Sequence, residues 1–251
     1  MCGSCGCGDH HKHSHNLSHE QMHALGMEHH HHHEQPSVIE IEKDILSHNN
    51  NMAERIRGYL DAKNIYAFNL VSSPGSGKTT LLETTIKAIK SKINISVIEG
   101  DQRTSNDADR IMNLGINTVQ INTETGCHLE AGEIYDTIKQ MNIPESSLLF
   151  IENIGNLVCP ALFDLGENER IVMISVTEGD DKPLKYPYMF ESAQTCIINK
   201  IDLLPYLQCD IERIKQNALS INPHLRFFEL SVTQGIGMEN WISYLLQQIQ
   251  P

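Results

Sequence analysis

Ser72-Ser73-Pro74-Gly75-Ser76-Gly77-Lys78-Thr79-Thr80, residues 72–80, decides how the rest of the chain is read. Upstream, Tyr66-Ala67-Phe68-Asn69-Leu70-Val71 is an apolar run of strand length. Downstream, Leu81-Leu82-Glu83-Thr84-Thr85-Ile86-Lys87-Ala88-Ile89 carries helical spacing. A glycine-rich turn between strand and helix is the context in which a loop cradles phosphates. Its glycines let successive backbone N–H groups curl around an anion, and the helix N-terminus adds partial positive charge. Lys78 then reaches the β- and γ-phosphates and the Thr79 hydroxyl ligates Mg2+, with Gly75, Ser76, Gly77 and Thr80 completing the cradle. The usual pattern opens with glycine where Ser72 stands, so the match rests on Gly75 and Gly77-Lys78-Thr79. The alternative is an ordinary tight turn, and the coincidence of the Gly-Lys-Thr-Thr core with strand and helix argues against it.

Working outward, strand-like and helix-like segments alternate to the end of the chain. Strands are expected at 66–71, 95–99, 118–121, 148–152, 171–176, 195–199 and 227–230, with helices at 106–114, 128–141 and 211–219. Short apolar strands between helices predict an α/β fold, a mostly parallel seven-stranded sheet covered by helices on both faces, with ligands at the C-terminal strand ends. A length of 251 residues and 40% hydrophobic content suffice for one such domain plus an appendage. The divisions are a tail at 1–36, a helical extension at 37–65 and the nucleotide domain at 66–251. In the extension, apolar residues at Ile41, Ile45, Met52, Ile56, Tyr59 and Leu60 predict one or two helices, with a polar break at Ser47-His48-Asn49-Asn50-Asn51.

Three further stretches complete a nucleotide site. Asn199-Lys200-Ile201-Asp202 follows a strand, and a carboxylate at its end accepts from guanine N1–H and the 2-amino group but is repelled by the acceptor at that edge of adenine. With a phosphate loop upstream, this predicts GTP and GDP as ligands. Ser231-Val232-Thr233-Gln234-Gly235 is placed to cover the base through its backbone. Glu152 and Asp101 each end an apolar strand, where they can hold Mg2+ directly or through water. Asp107 is a candidate for positioning the attacking water, with a helix cap as its alternative.

The first 36 residues differ in kind. They hold Cys2, Cys5 and Cys7 in a glycine-rich run and eleven of the fourteen histidines, with no aromatic residue. Such a stretch has too little apolar area to offset its ordering entropy, so a disordered tail is expected. Cys-x-x-Cys-x-Cys supplies three thiolates within reach of one soft or borderline ion, and imidazoles take nickel, zinc and copper alike. An engineered tag at His29 to His33 is the alternative, and the scattered histidines before it argue against one.

A second metal set lies inside the nucleotide domain. Cys127 and His128 are adjacent at the expected start of a helix, where a thiol's pKa is lowered, and Cys159 lies seven positions past Glu152. Both segments leave C-terminal strand ends. Three ligands do not close a tetrahedral site, which suggests a two-fold dimer pooling ligands from both subunits. Cys196 and Cys209 read as structural thiols. A loop sensing the γ-phosphate through Glu152 moves Cys159 with it, a route from GTP hydrolysis to metal transfer.

Composition bounds the partners. A net charge of −13 disfavours nucleic acid, no stretch reads as a membrane span, and the N-terminus is too polar for a signal peptide. Seven cysteines without an export signal suggest reduced thiols in the cytoplasm.

Taken together, 73–80, Glu99-Gly100-Asp101, Gly126-Cys127-His128-Leu129, 152–160, Thr177-Glu178-Gly179-Asp180-Asp181-Lys182-Pro183 and Asn199-Lys200-Ile201-Asp202 resemble the HypB family, the nickel-insertion GTPases of [NiFe]-hydrogenase maturation. The resemblance covers nearly all of the chain after residue 66. The tail's Cys2-x-x-Cys5-x-Cys7 is similar to the high-affinity nickel motif of some members, and its histidines to the nickel-storing segment of others. The resemblance implies a P-loop GTPase that hydrolyses GTP slowly, dimerises with it, and binds Ni2+ or Zn2+ at Cys127, His128 and Cys159. It also implies handover toward the hydrogenase large-subunit precursor, helped by a second nickel accessory protein. A lysine, Lys182 or Lys185, would contact the partner subunit's nucleotide. Two readings compete: a urease-type nickel-insertion GTPase, which typically carries a Cys-Pro-His motif that this chain replaces with the separated Cys127-His128 and Cys159, and a nickel store whose G domain is regulatory. A kinase is disfavoured, since no acceptor-substrate pocket is legible.

Overall fold

The computed structural model describes residues 38–101, 106–123 and 126–249, and the compact unit runs from Glu40. Cys2, Cys5, Cys7 and the histidine-rich stretch lie outside the described residues.

Seven strands form one sheet in which every pairing is parallel: β1 (Ile65–Ser72), β2 (Ile95–Asp101), β3 (Asn117–Asn122), β4 (Ser147–Glu152), β5 (Glu169–Ser175), β6 (Thr195–Asn199) and β7 (Arg226–Glu229), in the order β3-β2-β4-β1-β5-β6-β7. This is the P-loop GTPase architecture expected above. A parallel sheet survives only with both faces covered, and β1 shows how its sequence arranges that. Phe68 and Leu70 point to one face, where α2 (Lys78–Ile89) and α8 (Met238–Gln247) supply Leu82, Ile86, Trp241 and Leu245. Ile65 and Ala67 point to the other, against α1 (Val38–Ala62) and α4 (Ala131–Gln140). Val71 shares that second face with Phe190 and Ile214, from α6 (Pro187–Ser192) and α7 (Ile211–Ile221). Two short helices, α3 (Asn106–Met112) and α5 (Lys182–Lys185), complete the set. Trp241 is fully buried, and its Nε1–H donates to Thr85 Oγ1 of α2 at 2.9 Å. Among the described residues, no helix is long and apolar enough to cross a membrane.

Two expectations are corrected. The extension is one continuous helix, α1, and its polar stretch is no break. Asn49 is buried there, donating to Asp164 O and accepting from Ala131 N–H, each at 2.8 Å, so tertiary hydrogen bonds compensate the polar group. Second, α4 begins at Ala131 and not at His128: Glu130 is its N-cap in a reciprocal capping box with Glu133. Cys127 and His128 therefore precede the helix.

Candidate functional site

The cleft opens at the C-terminal ends of β1, β2, β4 and β6. Gly75 and Gly77 have φ of 77° and 101°, which L side chains rarely adopt, and these turns bend 73–77 around the entrance to α2. Residues 72–80, Glu99, Gly100, Asp101, Arg110, Glu152, Ile154, Gly155 and Lys200 line a cavity of about 580 Å3. Lys78, Thr79, Thr80, Asp101 and Glu152 thus come together as the motifs imply.

Glu152 is the hub. β4 lies between β1 and β2, in register with Leu70 on one side and Glu99 on the other. That register carries the buried carboxylate under the phosphate loop, where Oε1 accepts from Lys78 Nζ at 3.1 Å and from Thr79 Oγ1 at 2.7 Å. Its Oε2 and the Ser76 hydroxyl oxygen are buried and make no hydrogen bond. Ser76, Lys78 and Glu152 line the same cavity, and unpaired buried oxygens together with an ammonium suit a phosphate with its divalent cation, so the residues present fit Mg2+ and a nucleotide.

The Asn199-Lys200 stretch braces the same loop. Asn199 Nδ2 donates to Ser76 O at 2.9 Å, and Lys200 Nζ to Gly75 O at 2.7 Å. Any side chain at residue 77 would place its Cβ 2.7 Å from Asn199 Nδ2. Asp202 Oδ1 accepts from Ser231 Oγ at 2.5 Å, so Ser231 orients the carboxylate with its side chain, a role the sequence reading gave to backbone cover alone. Asp107 sits in the first turn of α3, and its side chain lies outside the described residues.

Cys127, His128 and Cys159 also meet: their ligand atoms all lie within 4.8 Å of one another. The Cys127 thiol is not acidified by a helix. The Cys159 thiol beside it, and then burial, push it above the ordinary thiol range. Burial holds His128 below the usual imidazole range despite Glu130 and Glu133 nearby, which keeps it in the neutral form that ligates metals. The His128 ring lies 3.9 Å from the Phe163 ring, and its Nε2 makes no hydrogen bond. Two thiols and one imidazole suit nickel or zinc. Cys196, by contrast, is sealed inside β6, where burial keeps the thiol protonated.

One connection joins the two centres. The β4–β5 loop leaves Glu152, passes Gly155, whose added Cβ would meet Pro74 Cγ at 3.1 Å, and reaches Cys159. On the way Asn156 Nδ2 donates to Cys127 O at 3.2 Å. Its ends are pinned by groups the sequence reading passed over. Asn69, inside β1, accepts from Asn153 Nδ2 and donates to Glu167 Oε1, and Arg170 donates to Glu167 Oε1 and to Phe163 O. Gly100 makes a second link, since a Cβ there would stand 2.8 Å from Leu129, the neighbour of His128.

Lys182 pairs with Glu178 at 3.0 Å and is 13% exposed, whereas Lys185 pairs with Asp181 at 2.7 Å and is 59% exposed.

Comparison with known proteins agrees with this geometry. The CobW/HypB/UreG nucleotide-binding domain family matches residues 66–229. The hydrogenase maturation factor HypB of Escherichia coli K12 is 48% identical over 226 residues, covering 90% of this chain and 76% of that protein. The crystal structure of HypB from Archaeoglobus fulgidus superposes with a TM-score of 0.75 at 39% identity, covering 81% of this chain and all of that one. HypB from Helicobacter pylori, solved in complex with nickel, gives 0.74 at 36% identity, covering 80% and 94%.

Proposed function

Because the chain belongs to the HypB family of hydrogenase maturation factors, we propose that it hydrolyses GTP to GDP and phosphate to deliver nickel to the [NiFe]-hydrogenase large-subunit precursor. The observation that carries this is the shared loop: Glu152 stands in the phosphate cleft and Cys159 in the thiol–imidazole cluster, seven positions apart on one connection.

In this reading the backbone N–H groups of 75–80 cradle the phosphates. Lys78 neutralises charge developing on the β- and γ-oxygens, and Asp107 orients the attacking water. Thr79, Asp101 and Glu152 would hold Mg2+, which would supply charge neutralisation to the phosphates. Asp202, fixed by Ser231, accepts from guanine, while Asn199 and Lys200 keep the phosphate loop in shape. Cys127, His128 and Cys159 would carry Ni2+ in transit, and the same three donors would also take Zn2+. Three ligands leave a tetrahedral ion incomplete, which supports a GTP-dependent homodimer that completes it. The greater exposure of Lys185 favours it over Lys182 as the lysine reaching a partner's nucleotide. Cys2, Cys5, Cys7 and the tail histidines receive and store nickel, a second nickel accessory protein assists, and the cytoplasm is the compartment.

The test is a nickel titration of the chain lacking residues 1–35, with GDP and with a non-hydrolysable GTP analogue, while recording molecular mass. Analogue-dependent dimerisation with altered nickel affinity is expected. Mass and affinity that ignore the nucleotide would overturn the switch. A second reading, nickel storage with a regulatory G domain, is favoured by the eleven tail histidines. Under it, deleting residues 1–35 lowers nickel capacity without stopping hydrogenase activation.

A further inference from the structure

The helix α1 lies outside the residues matched by the family's nucleotide-binding domain, yet it grips both segments that carry the thiol–imidazole cluster. Asn49 makes that grip with one side chain. Its Nδ2 donates to Asp164 O, five positions past Cys159, and its Oδ1 accepts from Ala131 N–H, three positions past His128. About two turns further along α1, Arg57 Nη2 donates to both carboxylate oxygens of Asp164, at 2.9 and 2.7 Å. Between them the loop presses onto the helix backbone. Gly166 has φ of 76°, and a Cβ on it would stand 2.6 Å from Ala53 O. The β4–β5 loop is therefore fixed to α1 beyond Cys159, while its other end starts at Glu152 in the phosphate cleft.

We propose that Asn49 is a positioning residue for the metal cluster. From α1 it sets the separation between the Cys127–His128 segment and the Cys159 loop, with Arg57 holding the loop side. The argument is geometric. A buried amide that satisfies a donor on one segment and an acceptor on the other fixes their distance, because losing either partner strands a buried polar group. With the far end anchored, a displacement begun at Glu152 is taken up between Gly155 and Leu162, the stretch that holds Cys159. An unanchored loop would translate as a whole and dissipate it.

The inference rests on the metal-site reading above, and one set of titrations separates the two. Co2+ is titrated into the full chain carrying Cys2→Ser, Cys5→Ser and Cys7→Ser, so that thiolate-to-cobalt charge-transfer absorbance reports the internal thiols. Asn49→Ala is expected to weaken the midpoint at least tenfold and to lower the charge-transfer intensity per bound ion, while thermal melting and binding of a fluorescent GDP analogue confirm the fold. Arg57→Met, at a partly exposed side chain, is expected to weaken the midpoint about threefold. It keeps the test decisive if the first variant does not fold. A role in stability alone would lower the melting temperature and leave band and midpoint at the parent's values, and that result in either folded variant overturns the inference. If the parent band survives Cys127→Ser and Cys159→Ser unchanged, the metal site itself is misplaced and the inference goes with it.

Discussion

Thr79 and Glu152 are joined by a hydrogen bond of 2.7 Å, the hydroxyl donating to Oε1, so the first turn of α2 is latched to the end of β4. Lys78 reaches the same oxygen at 3.1 Å. A bound group that draws on Thr79 or Lys78 must compete with Glu152, and Glu152 is the last strand residue before the connection leading to Cys159.

Lys78→Ala should lose at least about 100-fold in GTP affinity, since a charge-assisted contact of ~3 kcal/mol disappears and Glu152 keeps a buried, less compensated carboxylate. Equilibrium titration with a fluorescent GTP analogue measures this. Unchanged affinity would remove the phosphate-loop assignment.

Asp202→Asn should reduce discrimination of GTP against ATP by roughly 10- to 100-fold, the range for one hydrogen bond to a charged group. Ser231→Ala should act in the same direction and more weakly, because Ser231 orients Asp202 through a 2.5 Å bond. Competition between the two nucleotides gives the ratio, and an unaltered ratio in Asp202→Asn refutes the base contact.

Gly77→Ala combines a left-handed φ of 101° with a Cβ placed 2.7 Å from Asn199 Nδ2. Strain of about 1–3 kcal/mol is expected, lowering the melting temperature by several degrees at this size. GTP should weaken too, because Asn199 would surrender its bond to Ser76 O. A melting temperature equal to the parent's would contradict the close approach.

Acid stability should depend on Asp164. Burial pushes its carboxyl upward, but the Arg57 guanidinium and the Gly166 N–H outweigh it and hold the group below the usual carboxylate range. A depressed folded value means that the stabilisation is present above the unfolded value of about 3.9 and is lost as pH falls through the folded one. Thermal melts of the parent and Asp164→Asn should therefore differ near pH ~6 and converge below pH ~4. Curves that stay parallel across that window would sink the assignment.

Cys127→Ala, in the chain lacking residues 1–35, should remove one equivalent of bound nickel, because two remaining ligands give a weak site. Metal analysis after dialysis decides it, and an undiminished equivalent would mean that the cluster is not the internal site.

Strands, phosphate loop and guanine motif were legible because each announces itself locally. Buried parallel strands are unbroken apolar runs, and the two nucleotide motifs carry their chemistry within a few residues. The thiol–imidazole cluster was legible as a set but not in its setting. Glu130 and Glu133 mark the true start of α4, yet glutamate is an uncommon N-cap, and the helical spacing in the sequence continues back to His128 without a visible stop. The groups that hold the β4–β5 loop left even less trace. Asn49 finds Asp164 at a separation of 115 positions, and Asn69 finds Glu167 at 98. The lone asparagine at 69 in an apolar strand signals that some buried partner exists without saying where in the chain it is, whereas Asn49 stands beside Asn50 and Asn51 and nothing local marks it as the buried one.

The single tryptophan has a practical consequence. Trp241 bonds to Thr85 on α2, the helix whose first turn carries Lys78 and Thr79. Selective indole excitation therefore gives the molecule a one-site optical probe, packed against the phosphate-loop helix on the sheet face opposite α1 and α4. Its emission can time the arrival of nucleotide in a stopped-flow trace without any label, and leaves the cysteines available for metal.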